Sequence, residues 1–132
     1  MNGFLAAWAP RVLSILRIIA GFLMLWHGSQ KLFAYPAPAQ PIELNGLIMT
    51  AAIIEFFGGV LILIGLFTRP AAFLMSGLMA VAYFMAHASG GFLPLVNKGE
   101  LAVIYSFLYL YFVFSGPGPW SVDSLIWKKV EA

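Results

Sequence analysis

The feature that most constrains this chain is an apolar run that ends abruptly in polar side chains. From Val12 to Trp26 only Ser14, Arg17 and Gly21 interrupt greasy residues, and His27-Gly28-Ser29-Gln30-Lys31 then follows. A bilayer core is crossed by about 20 residues at roughly 1.5 Å each. Three further runs of similar character follow, so the spans are expected at about Val12–Phe33, Leu44–Phe67, Ala71–Ala88 and Glu100–Ser115. Only 9% of the 132 residues are charged and 62% are hydrophobic. Soluble domains carry about 25% charged residues, so this chain lacks the polar surface that water demands. The expectation is one all-α domain over residues 1–132, an integral membrane antiparallel four-helix bundle joined by short loops.

The connecting segments carry their own signals. Residues 1–10 read as a short amphipathic lead (Phe4, Leu5, Trp8), set apart from the first span by Pro10 and Arg11. Tyr35-Pro36-Ala37-Pro38-Ala39-Gln40-Pro41 cannot continue a helix. Ala37-Pro38-Ala39 resembles a cleavage site, but the preceding run exceeds the roughly 7–15 residues of a signal-peptide core, and more spans follow. Thr68-Arg69-Pro70 is a tight turn with Pro suited to a helix start. An interfacial tail with Trp120, Trp127, Lys128 and Lys129 closes the chain. Arg11, Arg17, Arg69, Lys128 and Lys129 fall on one side, Lys31 and Lys98 on the other. The basic excess makes the first side, and both termini, cytoplasmic. Arg17 lies within the first span, where its long side chain is expected to snorkel to the interface.

With that orientation the polar residues gather at the other end. His27, Gln30 and Lys31 end span one, His87 ends span three, Glu100 begins span four, and Glu55 lies deeper in span two. The neighbours of Glu55 one turn away, Ala51, Ala52, Gly58 and Gly59, are all small, as at close helix contacts in membranes. Glu55 therefore faces protein and needs a cation, donors or a proton. His27 and Lys31 share one helix face and are its natural partners. One reading is a buried ion pair that fixes helix register. A second is a zinc or iron site built from His27, His87, Glu55 and Glu100, although no ligand-spaced motif lies within one helix. A third is a pocket for a flat lipophilic molecule such as a quinone, with Tyr83 and Phe84 as wall residues one turn before His87.

Several classes are excluded. No phosphate-binding glycine motif and no nucleophile elbow occurs. Cysteine is absent, so this chain has neither disulfides nor a thiol relay. A net charge of +2 carried by so few ionic groups gives no reason to expect a nucleic-acid partner.

The chain resembles the DoxX-like family of small bacterial membrane proteins. The resemblance is carried by Leu25-Trp26-His27-Gly28-Ser29-Gln30-Lys31-Leu32-Phe33, by Glu55-Phe56-Phe57-Gly58-Gly59 through Gly65-Leu66-Phe67-Thr68-Arg69-Pro70-Ala71-Ala72, and by His87, Gly91-Phe92 and Asn97-Lys98-Gly99-Glu100-Leu101. It implies a four-helix bundle in the bacterial cytoplasmic membrane and a link to quinone-dependent or oxidative-stress systems. It marks His27, Lys31, Glu55, Arg69, His87 and Glu100 as the polar set. The leading expectation is a subunit of a quinone-linked redox system, with His27, His87 and Glu55 handling protons. Lys31, Glu100, Tyr83, Phe84 and Arg69 would contact the ligand. A partner redox protein would carry the electrons, or the chain would act as a homo-oligomer. The alternatives are a non-enzymatic scaffold subunit and a small carrier or proton pathway.

Overall fold

A computed structural model describes residues 2–131, whose regular elements are all helices, with no strand among them. Helix α1 runs Asn2–Phe33, α2 Gly46–Ile64 and α3 Thr68–Ala82. A π-helical turn, Tyr83–His87, and a 3-10 turn, Ala88–Gly90, extend α3. The short α4 covers Pro94–Asn97, α5 Glu100–Ser115 and α6 Val122–Glu131. Helices α1, α2 and extended α3 are long and apolar enough to cross a membrane, and α5 is shorter and apolar. The chief packing pairs are α1 with α2 and α3 with α5. The core between them holds Met24, Ile62, Ala72, Met75, Tyr109 and Phe112, while large apolar side chains such as Ile19, Phe57, Phe73 and Phe107 point outward to form a lipid-facing surface.

Glycine brings α1 and α2 together. A Cβ at Gly21 would lie 2.8 Å from the Gly59 carbonyl oxygen, and one at Gly59 would lie 2.7 Å from the Leu25 nitrogen. At Gly28 a Cβ would strike the Phe56 backbone. The helices thus touch backbone to backbone, and dispersion replaces the hydrophobic drive that lipid cannot supply. The α2–α3 turn uses Gly65 at φ 71°, whose N–H returns to Ile62 and Leu61. Only glycine suits that conformation without strain.

The sequence expectations need three corrections here. First, Pro10 does not set off a separate lead: α1 continues straight through it as one 32-residue helix. Proline removes a single N–H, whereas ending the helix among apolar groups would strand several. Second, Arg17 does not snorkel; it is fully buried. Its Nε donates to the Pro117 carbonyl at 2.7 Å, one terminal nitrogen donates to Ile62 and Leu63 at 2.9 Å each, and the other donates to Trp120. Those carbonyls include the last turn of α2, and a guanidinium offers five donors to help satisfy them at the negative pole of the helix. Third, the tail is helix α6, tied down by Asp123, whose carboxylate accepts from the Phe67 and Thr68 N–H groups at 2.8 and 2.9 Å. The side chains of Lys128 and Lys129 lie outside the described residues.

The glycine contacts yield a paired prediction. Gly59→Val should wedge α1 from α2 and cost roughly 1–3 kcal/mol, read as a lower melting temperature in detergent. Gly77 has open space around it, so Gly77→Ala should leave that temperature unchanged or raise it.

Candidate functional site

Glu55 and Lys31 form the floor of the site. Lys31 Nζ lies 2.8 Å from Oε1 and 2.7 Å from Oε2 of Glu55. The Glu55 side chain is 6% exposed and that of Lys31 27%, so the pair is sheltered on one side and open on the other. Gly58 opens toward Met75 of α3 and Gly59 toward α1. The small residues flanking Glu55 therefore admit its carboxylate between helices rather than into lipid. The loop after α1 is held clear: Ser29 Oγ donates to the Tyr35 carbonyl at 2.7 Å and Gln30 to that of Pro36 at 3.1 Å.

Above this floor is a cavity of about 360 Å3. Helix α1 contributes Met24, His27 and Lys31, α2 contributes Glu55, and α3 with its π turn contributes Met79, Ala82, Ala86 and His87. Lys98 and, from α5, Leu101, Ala102 and Tyr105 complete the wall. The π turn places His87: the Ala88 N–H bonds to the Tyr83 carbonyl five residues back. Such turns widen a helix locally and recur at functional sites. His87 Nδ1 lies 3.2 Å from the Asn97 carbonyl oxygen, and the Tyr83 ring stacks at 6.5 Å. His27 is exposed and has no hydrogen-bond partner among the described residues. The cavity deepens from exposed His27 and Lys98 to buried Met24, Met79 and Tyr105. Lys31 and Glu55 cancel in charge, which leaves the Lys98 ammonium and two imidazoles facing an otherwise apolar chamber.

His27, Lys31, Glu55 and His87 are thus brought together, and other candidates are not. Glu100 is exposed and absent from the wall. Tyr105 is buried, Leu101 one turn earlier borders the cavity at an exposed position, and Glu100 sits about 100° around the helix from Leu101. Arg69 caps the far end of α5, donating to Val113 and Phe114 carbonyls at 2.6 and 2.9 Å. Eighteen residues of helix separate it from His87, about 27 Å. Tyr83 and Phe84 line a neighbouring apolar groove of about 600 Å3 with Phe92, Pro94 and Phe107. Tyr83 spends its hydroxyl on the Phe92 carbonyl and on Asn97. No group of three or more His, Asp or Glu is placed to hold a metal among the described residues. Glu100 turns away from the set drawn for zinc or iron, and Glu55 is already engaged by Lys31. Lys98, Tyr105 and Asn97 were missed as site residues. The i, i+4 spacing of Leu101 and Tyr105 was the one signal pointing to the cavity side of α5.

The fold and its buried ion pair define a small multi-pass helical membrane protein. The DoxX family model matches residues 12–88, and the chain belongs to the DoxX family. It is 40% identical to an uncharacterized protein of Haemophilus influenzae, across 95% of this chain and 98% of that one. It is 30% identical to the inner membrane protein YqjF of Escherichia coli, covering 87% of this chain and 92% of that protein. The uncharacterized membrane protein Rv3486 of Mycobacterium tuberculosis is 29% identical, with 97% and 89% covered. No solved structure matches the chain.

The Lys31–Glu55 pair predicts strong non-additivity. Lys31→Met or Glu55→Leu alone leaves a sheltered charge unmatched, at a cost of about 3 kcal/mol or more. The double variant should recover most of that loss in thermal melts, and equal additive losses would show the two side chains to be uncoupled.

Proposed function

We propose that this protein binds a quinone-type ring in the cavity between α1, α3 and α5, as the membrane subunit of a redox system in the bacterial inner membrane. The observation that carries the reading is the convergence of His27, His87, Lys31, Glu55 and Lys98 on one chamber otherwise walled by methionine, alanine, leucine and tyrosine. Apolar walls with a few convergent polar groups suit such molecules, and about 360 Å3 lies in the range of ligand pockets, roughly 300–1,000 Å3. The E. coli relative's name supports the inner-membrane location. The basic residues Arg11 and Arg69 at the Arg17 end make that end cytoplasmic by the positive-inside rule, with both termini there.

A bound quinone supplies two-electron chemistry coupled to two protons, and the chain supplies the surroundings. His27 and His87 supply the imidazole nitrogens that can take or give a proton to the ligand. Lys31 engages both oxygens of Glu55 and lines the chamber. Lys98 attracts electron-rich oxygen at the mouth. Electrons are carried by a partner redox protein in the membrane or at its surface, because no side chain here carries them.

The geometry also supports a second reading. The Lys31–Glu55 pair satisfies itself and clasps α1 to α2, as a purely structural subunit would require. Titration of the purified protein in lipid nanodiscs with a short-tailed hydroquinone separates the two. Saturable binding is expected, weakened at least tenfold, about 1.4 kcal/mol, by His27→Ala or His87→Ala at unchanged melting temperature. Absence of saturable binding, with a cellular phenotype that survives Glu55→Gln plus His27→Asn, would make the cluster structural.

A further inference from the structure

His87 is held by a hydrogen bond whose direction chemistry dictates. Its Nδ1 lies 3.2 Å from the Asn97 carbonyl oxygen, and a carbonyl only accepts, so Nδ1 carries the hydrogen. In the neutral ring the lone pair then sits on Nε2, which has no protein partner among the described residues, while the ring lines the cavity.

The carbonyl is itself fixed in place. The Asn97 amide donates to the Tyr83 hydroxyl at 3.0 Å and to the Gly91 carbonyl at 2.8 Å, and its Oδ1 accepts from the Gly99 N–H at 2.8 Å. The Tyr83 hydroxyl donates onward to Phe92 at 3.0 Å. A Cβ at Gly99 would come within 2.7 Å of the Tyr83 ring, so the loop is pressed against the π turn that carries His87. Asn97 spends its side chain on holding the loop and offers its backbone oxygen to the imidazole.

We infer that Asn97 is a positioning residue that fixes His87 as a hydrogen-bond acceptor at Nε2, so that the pocket selects the hydroxyl-bearing, reduced form of its ligand, a hydroquinone, over the quinone. Among the described residues the His27 ring and the Tyr105 hydroxyl have no protein partner that fixes which way they bond, which leaves the fixed acceptor to His87. Lys31 and Lys98 only donate, and Glu55 engages both oxygens with Lys31. The ligand half of this inference rests on the reading above; the positioning half does not.

The chain contains two histidines, His27 and His87, which makes the test simple. The full chain, labelled with 15N-histidine, is placed in lipid nanodiscs and studied by NMR at about pH 8, above the ordinary imidazole range near 6.5. His27→Gln assigns the signals. His87 should show one tautomer, protonated at Nδ1. Asn97→Ala should mix the tautomers, and the milder Tyr83→Phe, which removes one hydroxyl, should move them the same way by less. A short-tailed hydroquinone should shift the Nε2 signal and bind at least tenfold tighter than its quinone, a preference lost in Asn97→Ala. A wild-type Nε2–H tautomer, or a single Nδ1–H tautomer surviving in Asn97→Ala, would overturn the positioning role. Equal shifts from quinone and hydroquinone would overturn the selectivity. Failure of both ligands to move either histidine, with the tautomer as expected, would refute the redox-ligand reading and leave Asn97's role standing.

Discussion

A carboxyl group between membrane helices needs a cation, hydrogen-bond donors or a proton, and the contact of Lys31 with Glu55 meets that need in a way on which the rest of the structure depends. Ionised groups are costly in hydrocarbon, so the two helices that carry them must lie close enough for the charges to touch. Gly21, Gly28 and Gly59 permit that approach by removing the side chains that would hold α1 and α2 apart. The pair in turn leaves an opening on the α3 and α5 side, where His27, His87 and Lys98 collect around a chamber. Helix packing and the chemistry of the site are thus one arrangement: small residues bring the backbones together, and a neutralised charge pair marks where they open.

The opposite end of the bundle solves a related problem with different parts. There the unmatched groups are backbone carbonyls and amides at the α2–α3 turn and the end of α5. Arg17 meets carbonyls of α2 and of the segment before α6, Arg69 those of α5, and Asp123 the amides that begin α3. Each is a charged side chain spent on a helix terminus. This end is a structural lock that holds α6 against the bundle, while the Lys31 end leaves His27, His87 and Lys98 around an open cavity.

How much of this could be read from the sequence depends on where each residue's partner lies. Glu55 was legible because its small neighbours at one-turn spacing reveal a helix contact; a shared helix face offered His27 and Lys31 as its partners, and Lys31 is the one that pairs. Arg17 and Asp123 were not, because their partners are main-chain atoms dozens of residues away, which leave no side-chain pattern. Glu100 was placed wrongly for a third reason. Helix α5 is apolar all round, so its sequence has no polar face to set the rotation, and only packing decides that Tyr105, Tyr109 and Phe112 turn inward. Arg69 was grouped with the pocket through family resemblance, although its position at the start of α3 puts it a membrane's thickness away. Pro10 misled because breaking a helix in an apolar setting costs more than the single hydrogen bond that proline removes.

In the proposed function, side chains from separate helices form one chamber for a ring-bearing lipophilic molecule. Photoaffinity labelling with an azidoquinone in native membranes, followed by peptide mapping, addresses it most directly. The account predicts label concentrated on Met24, Met79 and Tyr105 and competed away by unlabelled compound. Label spread evenly over outward-facing residues such as Ile19, Phe73 and Phe107, without competition, would contradict it.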